Sequence, residues 1–309
     1  MNTFESFELK AFLLKVEAAR GTDSVPTAGD NGLLLIDGSI ELAADELDRE
    51  IDDTVFGADP FVLVGRRNVI SGSIEPYGAS SLGTASPNSA AFRCAGLSET
   101  LTPSTNAVYA PISTGFESGS LYTYMGSQQI RTLGLQANLD FQMSLKNFFR
   151  AQAQFTGLQN LPTAATLPAV DLSDFNDTPP AIETETFTVT IDGFAANALE
   201  MNLNMNNDIV VLEGSETREV IIRDRKPTGE ILIADPGVTA KDFFALAGTD
   251  VVIQAVIDGG SAQNKATMDI PVARLGLPQF ANQDGVRALR IPYRALKNGS
   301  DGEFSLTLE

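Results

Sequence analysis

Histidine and tryptophan are missing from the 309 residues, and cysteine occurs once. Without histidine there is no imidazole base, no imidazole metal ligand, and no Ser-His-Asp or Cys-His arrangement. Without tryptophan, and with only 5 tyrosines, the aromatic platforms that bind sugars are scarce. The lone thiol, Cys94, cannot close a disulfide within the chain, so the fold does not rest on an oxidising compartment. Positive charge is also in short supply: 21 Lys+Arg against 40 Asp+Glu leave a formal charge of −19. Affinity for phosphate backbones comes mainly from Lys and Arg releasing counterions, so this balance argues against a protein that grips nucleic acid or an anionic membrane. The opening "MNTFESFELKAFLLKVEAARG" mixes acids and bases and lacks a long apolar run. It predicts neither a signal peptide nor a membrane span, and hence synthesis in a cytoplasm.

What the chain does contain is alternation. From Leu133 to Met143 apolar residues occupy every odd position, with Gly134, Gln136, Asn138, Asp140 and Gln142 between them. Phe149, Ala151, Ala153 and Phe155 alternate in the same way with Arg150, Gln152, Gln154 and Thr156. A period of two marks strands with one face on a core and the other toward water. Short helices are predicted at 87–96 and 239–247, each closed by a glycine, Gly96 or Gly248, at the position where a left-handed backbone is needed.

Those helices also suggest a duplication. "FRCAG" at 92–96 and "FALAG" at 244–248 lie 152 residues apart (244 − 92), close to half the chain. "LLLIDG" and "TVTIDG" end at Gly38 and Gly193; Gly72 aligns with Gly229; "RAQAQFTGL" and "RALRIPYRAL" end at Leu158 and Leu296. The order of landmarks is the same in both halves, and the repeat is far longer than the roughly 20–50 residues of a solenoid unit. The reading is a β-rich chain with one helix per domain: a first domain at 1–160, a proline-rich acidic linker at 161–186, and a second domain at 187–309.

Candidate chemistry is thin. The acidic stretch "DGSIELAADELDREIDDTVFGADP" (37–60) lacks the oxygen-ligand spacing of a calcium loop and reads as a solvated excursion. "DLSDFND" (171–177) reads as linker. Cys94 lies in an apolar helix with no histidine to activate it, so a packing role is expected. Phosphate loops, nucleophile elbows and metal-ligand spacings are absent from the sequence, and no enzyme activity, metal or cofactor is expected. The alternating strands do place Gln136, Asn138, Asp140 and Gln142 on one face beside Arg150, Gln152, Gln154 and Thr156. That face is either the wet side of a sandwich or the lining of a passage through which something slides without sticking.

From "SPNSAAFRCAGL" onward the order of segments resembles the tail tube (major tail) proteins of long-tailed bacteriophages. The matching residues are Ala95-Gly96-Leu97 after the helix, Tyr109-Ala110-Pro111-Ile112-Ser113, a hairpin through 121–124, the strand holding Gly134, and Phe155-Thr156-Gly157. Where the family often has G-A-R-G, this chain has "RTLGLQAN". "RDRKPTGEILIADPGVTAKDFFALAG" extends the likeness into the second half.

The resemblance implies two tandem antiparallel β-sandwich or half-barrel domains. In the family six such domains close into a ring, and rings stack into a hollow tube that conducts DNA from capsid to host. With two domains per chain, three copies make a pseudo-hexameric ring, although six copies remain open. About 24 inner strands spaced roughly 4.8 Å apart and tilted about 40° close a cylinder about 45–50 Å across, leaving about 35–40 Å after side chains. A DNA duplex fits.

The resemblance further implies a virion-tail protein made in the host bacterial cytoplasm and not inserted in a membrane. Its partners would be other copies of itself, the tape measure, the terminator and the distal tail protein, with DNA passing unbound. Gln136, Asn138, Asp140, Gln142, Gln152 and Gln154 are the candidate lumen residues. Asp45, Glu46, Asp48, Asp52 and Asp53, with segments 1–35 and 205–218, are the candidate ring-stacking residues. Two alternatives stay open: a terminator or distal ring at one end of the tail, and an extracellular β-sandwich binding module or adhesin.

Overall fold

Period-two alternation becomes strand almost everywhere in the computed structural model, which describes residues 9–49, 51, 56–175, 179–260, 264–299 and 301–309. In chain order the first half holds β1 (Lys10–Val16), β2 (Ile36–Asp48), β3 (Phe61–Ile74), the helix α1 (Ser89–Cys94), β4 (Leu97–Thr102), β5 (Asn106–Pro111), β6 (Gly119–Met125), β7 (Gln128–Ser144), β8 (Arg150–Gln159) and the two-residue β9 (Thr163–Ala164). The second half begins with β10 (Phe187–Ile191), β11 (Phe194–Ala196), β12 (Ala198–Asn204), β13 (Asn207–Glu213) and β14 (Arg218–Arg225). It continues with β15 (Thr228–Ala234), β16 (Asp250–Asp258), β17 (Lys265–Leu275), β18 (Gln279–Gln283), β19 (Val286–Ala295) and β20 (Ser305–Leu308). The chain is mainly β and its ladders are antiparallel.

Eight strands form one continuous layer in the order β2-β3-β8-β7-β12-β15-β19-β18. The first four come from the first half and the last four from the second. Each half contributes its strands in the same sequence: an opening hairpin pair, then the closing hairpin in reverse. The halves meet edge to edge where β7 pairs with β12, from Asp140↔Asn204 to Ser144↔Glu200.

A second layer carries β1-β6 and the first part of β7 in the first half. In the second half it carries β11-β10-β16-β17. The C-terminal β20 stitches this layer across the halves, pairing with β17 on one side and β5 on the other. β7 belongs to both layers. It crosses between them at Gly134, which is left-handed (φ 61) and lies at a register shift against β8. The second half makes the same crossing by breaking the chain at 276–278, between β17 and β18.

Alternate residues from both layers share one core: Ile70, Leu139, Phe155, Met201, Ile231 and Ile291 from the first, and Leu14, Leu121, Ala255, Met268 and Leu306 from the second. Full burial of each large apolar side chain contributes roughly 1.5–3 kcal/mol. Burial alternates residue by residue along β8 and β16, as one-sided strands require.

Some expectations change. The first helix forms, shortened to six residues, but 239–247 is a series of turns. There the Asp242 side chain accepts the backbone N–H groups of Phe244 and Ala245, which offers the backbone an alternative to helix. Gly96 and Gly248 nevertheless share φ 80. Gly72 and Gly229 fall on corresponding strands, β3 and β15, whereas Gly38 lies in β2 and Gly193 in the β10–β11 turn. The segment at 161–186 is no free tether. β9 pairs with β7, Ile182 is fully buried, and Pro180 accepts a hydrogen bond from Tyr77 Oη (3.0 Å).

Candidate functional site

The non-core face of the eight-stranded layer brings the predicted polar residues together. Across β7 and β8 the partners are Gln136↔Thr156, Asn138↔Gln154, Asp140↔Gln152 and Gln142↔Arg150. On the far side of β8, Gln154 and Gln152 face Ser71 and Ser73 of β3. On the far side of β7, Asp140 and Gln142 face Asn204 and Asn202, which in turn face Thr228 and Glu230. Thr228 faces Arg294. The row Ser73–Gln152–Asp140–Asn204–Thr228–Arg294 therefore spans six strands and both halves.

Side chains along these rows satisfy one another. Ser73 Oγ donates to Gln152 Oε1 (2.8 Å), Gln142 Nε2 to Asp140 Oδ2 (3.2 Å), and Asn138 Nδ2 to Asn204 Oδ1 (3.1 Å). Asn202 Oδ1 accepts from the Glu230 backbone (2.7 Å), and Arg290 pairs with Glu230. Burial pushes the Asp140 carboxyl above its usual range, while the Gln142 hydrogen bond pulls it back.

One prediction for this face needs correcting. Gln136 is fully buried, with Nε2 donating to the Glu117 carbonyl (2.7 Å). It sits beside the β7 register shift, where β13 and β14 lie against β7, so it lines nothing. The face carries bases as well as amides and acids. Asp140, Glu200 and Glu230 share it with Arg150, Arg290 and Arg294, so its charge balances. Balanced, mutually bonded groups leave no concentrated positive patch to trap a phosphate backbone.

No protein-family model matches this chain, and no curated protein is similar to it in sequence. Its function has to be read from geometry.

The acidic stretch also departs from expectation. Rather than a loop, it is largely a two-stranded arm. β2 and β3 stay paired out to Asp48↔Phe61, whereas the β8 partner of β3 stops at Arg67↔Leu158. Asp45, Glu46 and Asp48 all lie on this arm and are exposed; Asp45 accepts from Arg67 Nη1 at 3.1 Å. Asp52 and Asp53 lie outside the described residues. Leu47, Phe61, Val62 and Leu63 on the arm are 42–61% exposed, so it presents apolar as well as acidic surface.

Sequence reasoning missed the β18–β19 hairpin, although its signal was present. Asp284 (φ 51) and Gly285 (φ 85) form a two-residue turn with both residues left-handed, the arrangement that Asp-Gly favours. That hairpin matters because, among the described residues, β18 pairs only with β19, and β2 only with β3. Both ends of the eight-stranded layer are open edges among the described residues.

Among the described residues no group of three or more Cys, Asp or Glu side chains is placed to hold a metal ion. Cys94 is fully buried, and burial pushes its thiol pKa up, with Glu17 and Glu117 adding to the effect. Its Sγ packs 2.7 Å from where a Cβ on Gly119 would stand. A thiol reagent is therefore expected to leave the native protein unmodified and to label it fully after denaturation. Fast native labelling would refute this packing role.

Proposed function

We propose that this chain is the tail tube protein of a long-tailed bacteriophage, and that three copies close into a ring which stacks into a hollow, DNA-conducting tube. One observation carries the reading: the chain already contains the junction that a ring needs. Two four-stranded units of the same strand order are joined edge to edge at β7–β12, and the free edges, β18 and β2, are the strands that would make the same junction with another copy. Unpaired edges invite strand addition, and a closed ring removes them.

Magnitudes favour three copies. Eight strands per chain give about 24 in a trimer and a backbone cylinder about 45–50 Å across, against roughly twice that for six copies. After side chains the trimer keeps about 35–40 Å, wide enough for a hydrated duplex. The polar, charge-balanced face of the layer would line the bore and let DNA pass without a deep trap. The tape measure, terminator and distal tail proteins are the partners this role calls for, and the virion tail is its place.

The test is cryo-electron microscopy of the concentrated protein. The expected result is hollow tubes or rings with threefold symmetry and a duplex-wide bore. Particles without a channel at every concentration tried would overturn the proposal.

A further inference from the structure

Resting on the ring reading, we propose that the β2–β3 arm of one copy seats on the second half of its ring neighbour, in the groove of Lys226, Pro227, Arg294, Leu296 and Lys297. The occupant is thus a second copy of this chain, and the contact is lateral, within a ring.

The chain supplies its own template. The connection between the opening strands of the second half, β12 and β15, is the β13–β14 hairpin, the positional counterpart of the arm. Instead of projecting, it folds across the end of the first half. Asn207 Nδ2 donates to the carbonyls of Ala95 and Ala137, both at 2.8 Å. Arg20 donates to the carbonyls of Val220 (2.6 Å) and Phe116 (3.0 Å), and Arg218 reaches the Arg66 carbonyl on β3. Val220 and Ile222 are buried there. Ile222 Cδ1 stands 3.2 Å from where a Cβ on the left-handed Gly96 would be.

The second half has the same platform, uncovered. Its left-handed glycine, Gly248, has nothing among the described residues within 4 Å of the corresponding point. The strand ends that correspond to the site of the Arg218 contact, the start of β15 and the end of β19, border an open groove of about 610 Å³. Its bases, Arg225, Lys226, Arg294 and Lys297, outnumber its acids, Asp208, Asp224 and Glu303, on a chain of charge −19, and Lys226 pairs with Asp224 at 2.6 Å. Arg294 and Lys297 are exposed, and neither forms an ion pair among the described residues. Arg225 and Glu303, paired at 3.0 Å and nearly buried, also line the groove.

The arm complements this groove on both counts. Glu46 and Asp48 supply the opposite charge, while Leu63 and Phe61, their cross-strand partners on the same face of the ribbon and 42% and 52% exposed, supply apolar surface for Pro227 and Leu296. A two-stranded ribbon projecting into water is marginal by itself, so a partner that covers it stabilises it. Complementary charge also sets register and suppresses wrong partners.

A charge swap tests the pairing. Glu46→Lys with Asp48→Lys, and separately Arg294→Glu with Lys297→Glu, are each expected to raise the protein concentration needed for ring assembly by about tenfold or more. All four changes together should restore assembly to within about threefold of wild type. Circular dichroism and thermal melting of the monomers confirm that each variant folds, as these exposed positions allow. If wild type assembles and either pair of changes leaves assembly unaffected, or the fourfold variant is not rescued, the docking inference fails while the ring reading stands. An arm that docked on the stacked ring above would show normal single rings and a defect only in tube growth, which also overturns the lateral contact. A wild type that never assembles overturns the ring reading and this inference with it.

Discussion

Phe280→Pro is expected to leave the monomer folded and to abolish ring closure. Gln283 and Val286 flank a two-residue turn, and such a flanking pair exchanges both backbone hydrogen bonds. Bonded and non-bonded pairs then alternate, so Gln283, Ala281 and Gln279 point their N–H groups at β19 while Asn282 and Phe280 point theirs at the open edge. Proline at 280 therefore removes an outward donor and places its ring on that edge without costing β18 a bond to β19. A partner carbonyl left unpaired costs about 1–3 kcal/mol at each junction. Three junctions per ring bring the penalty to roughly 3–9 kcal/mol, enough to empty the assembled state.

The aromatic ring is a separate matter, since Phe280 also stacks on Phe244 (5.4 Å between centroids) and under Arg287. Phe280→Ala removes those contacts but keeps the N–H, so it should assemble far better than the proline variant. Light scattering on a sizing column and negative-stain images would read both. A proline variant that assembles at the wild-type concentration would show that β18 is not an interface.

How much of this was legible in the sequence depends on where a core lies behind each residue. β7 and β8 are backed by the core, so their alternation is clean, and the partners Asn138↔Gln154 and Asp140↔Gln152 follow from it. Gln136 keeps the register of Asn138 and Asp140 but fails because β13 and β14, from much later in the chain, cover its end of the face. Gly134, a glycine inside an alternating run, marks the bulge beside it, but nothing local announces the covering hairpin. The arm is invisible to periodicity for the opposite reason: beyond Ala43 neither face of β2 is buried, so no pattern is imposed. The turns at 239–247 lost their helix to one aspartate side chain.

The features on which the proposed ring rests were the least legible. β7–β12 joins residues about sixty apart, and β20 reaches from Leu306 back to Tyr109. Edge pairings between exposed or half-exposed strands leave little trace in local sequence, because their hydrogen bonds are made by backbone common to every residue.

Glu17→Ala should be as destabilising as the loss of a buried core phenylalanine. Glu17 is only 8% exposed, and its carboxylate is held by four donors. Oε1 accepts from Gly134 N (2.8 Å) and Ser120 Oγ (2.9 Å); Oε2 accepts from Gly21 N and Ser118 Oγ, both at 2.7 Å. These donors belong to the loop after β1, to β6 and its approach, and to the crossing point of β7, so one side chain ties three segments where β7 changes layer. Burying a carboxylate is costly unless it is bonded in this way.

Alanine leaves four donors without their acceptor, two of them backbone N–H groups that cannot rotate away. Each unsatisfied buried group costs about 1–3 kcal/mol. Because the two hydroxyls can turn to other acceptors, the net loss should be on the order of 3–5 kcal/mol. At about 2–4 °C per kcal/mol for a chain of this size class, the melting temperature should fall by roughly 10 °C.

Glu17→Gln keeps the shape and one acceptor oxygen but turns an amide donor toward two of the four donors, so it should fall between wild type and alanine. Thermal or urea melting of the monomer would rank the three. An alanine variant within about 1 kcal/mol of wild type would mean that the crossing at Gly134 is held by the strands alone. In that case the polar row beginning at Asn138 is positioned without Glu17.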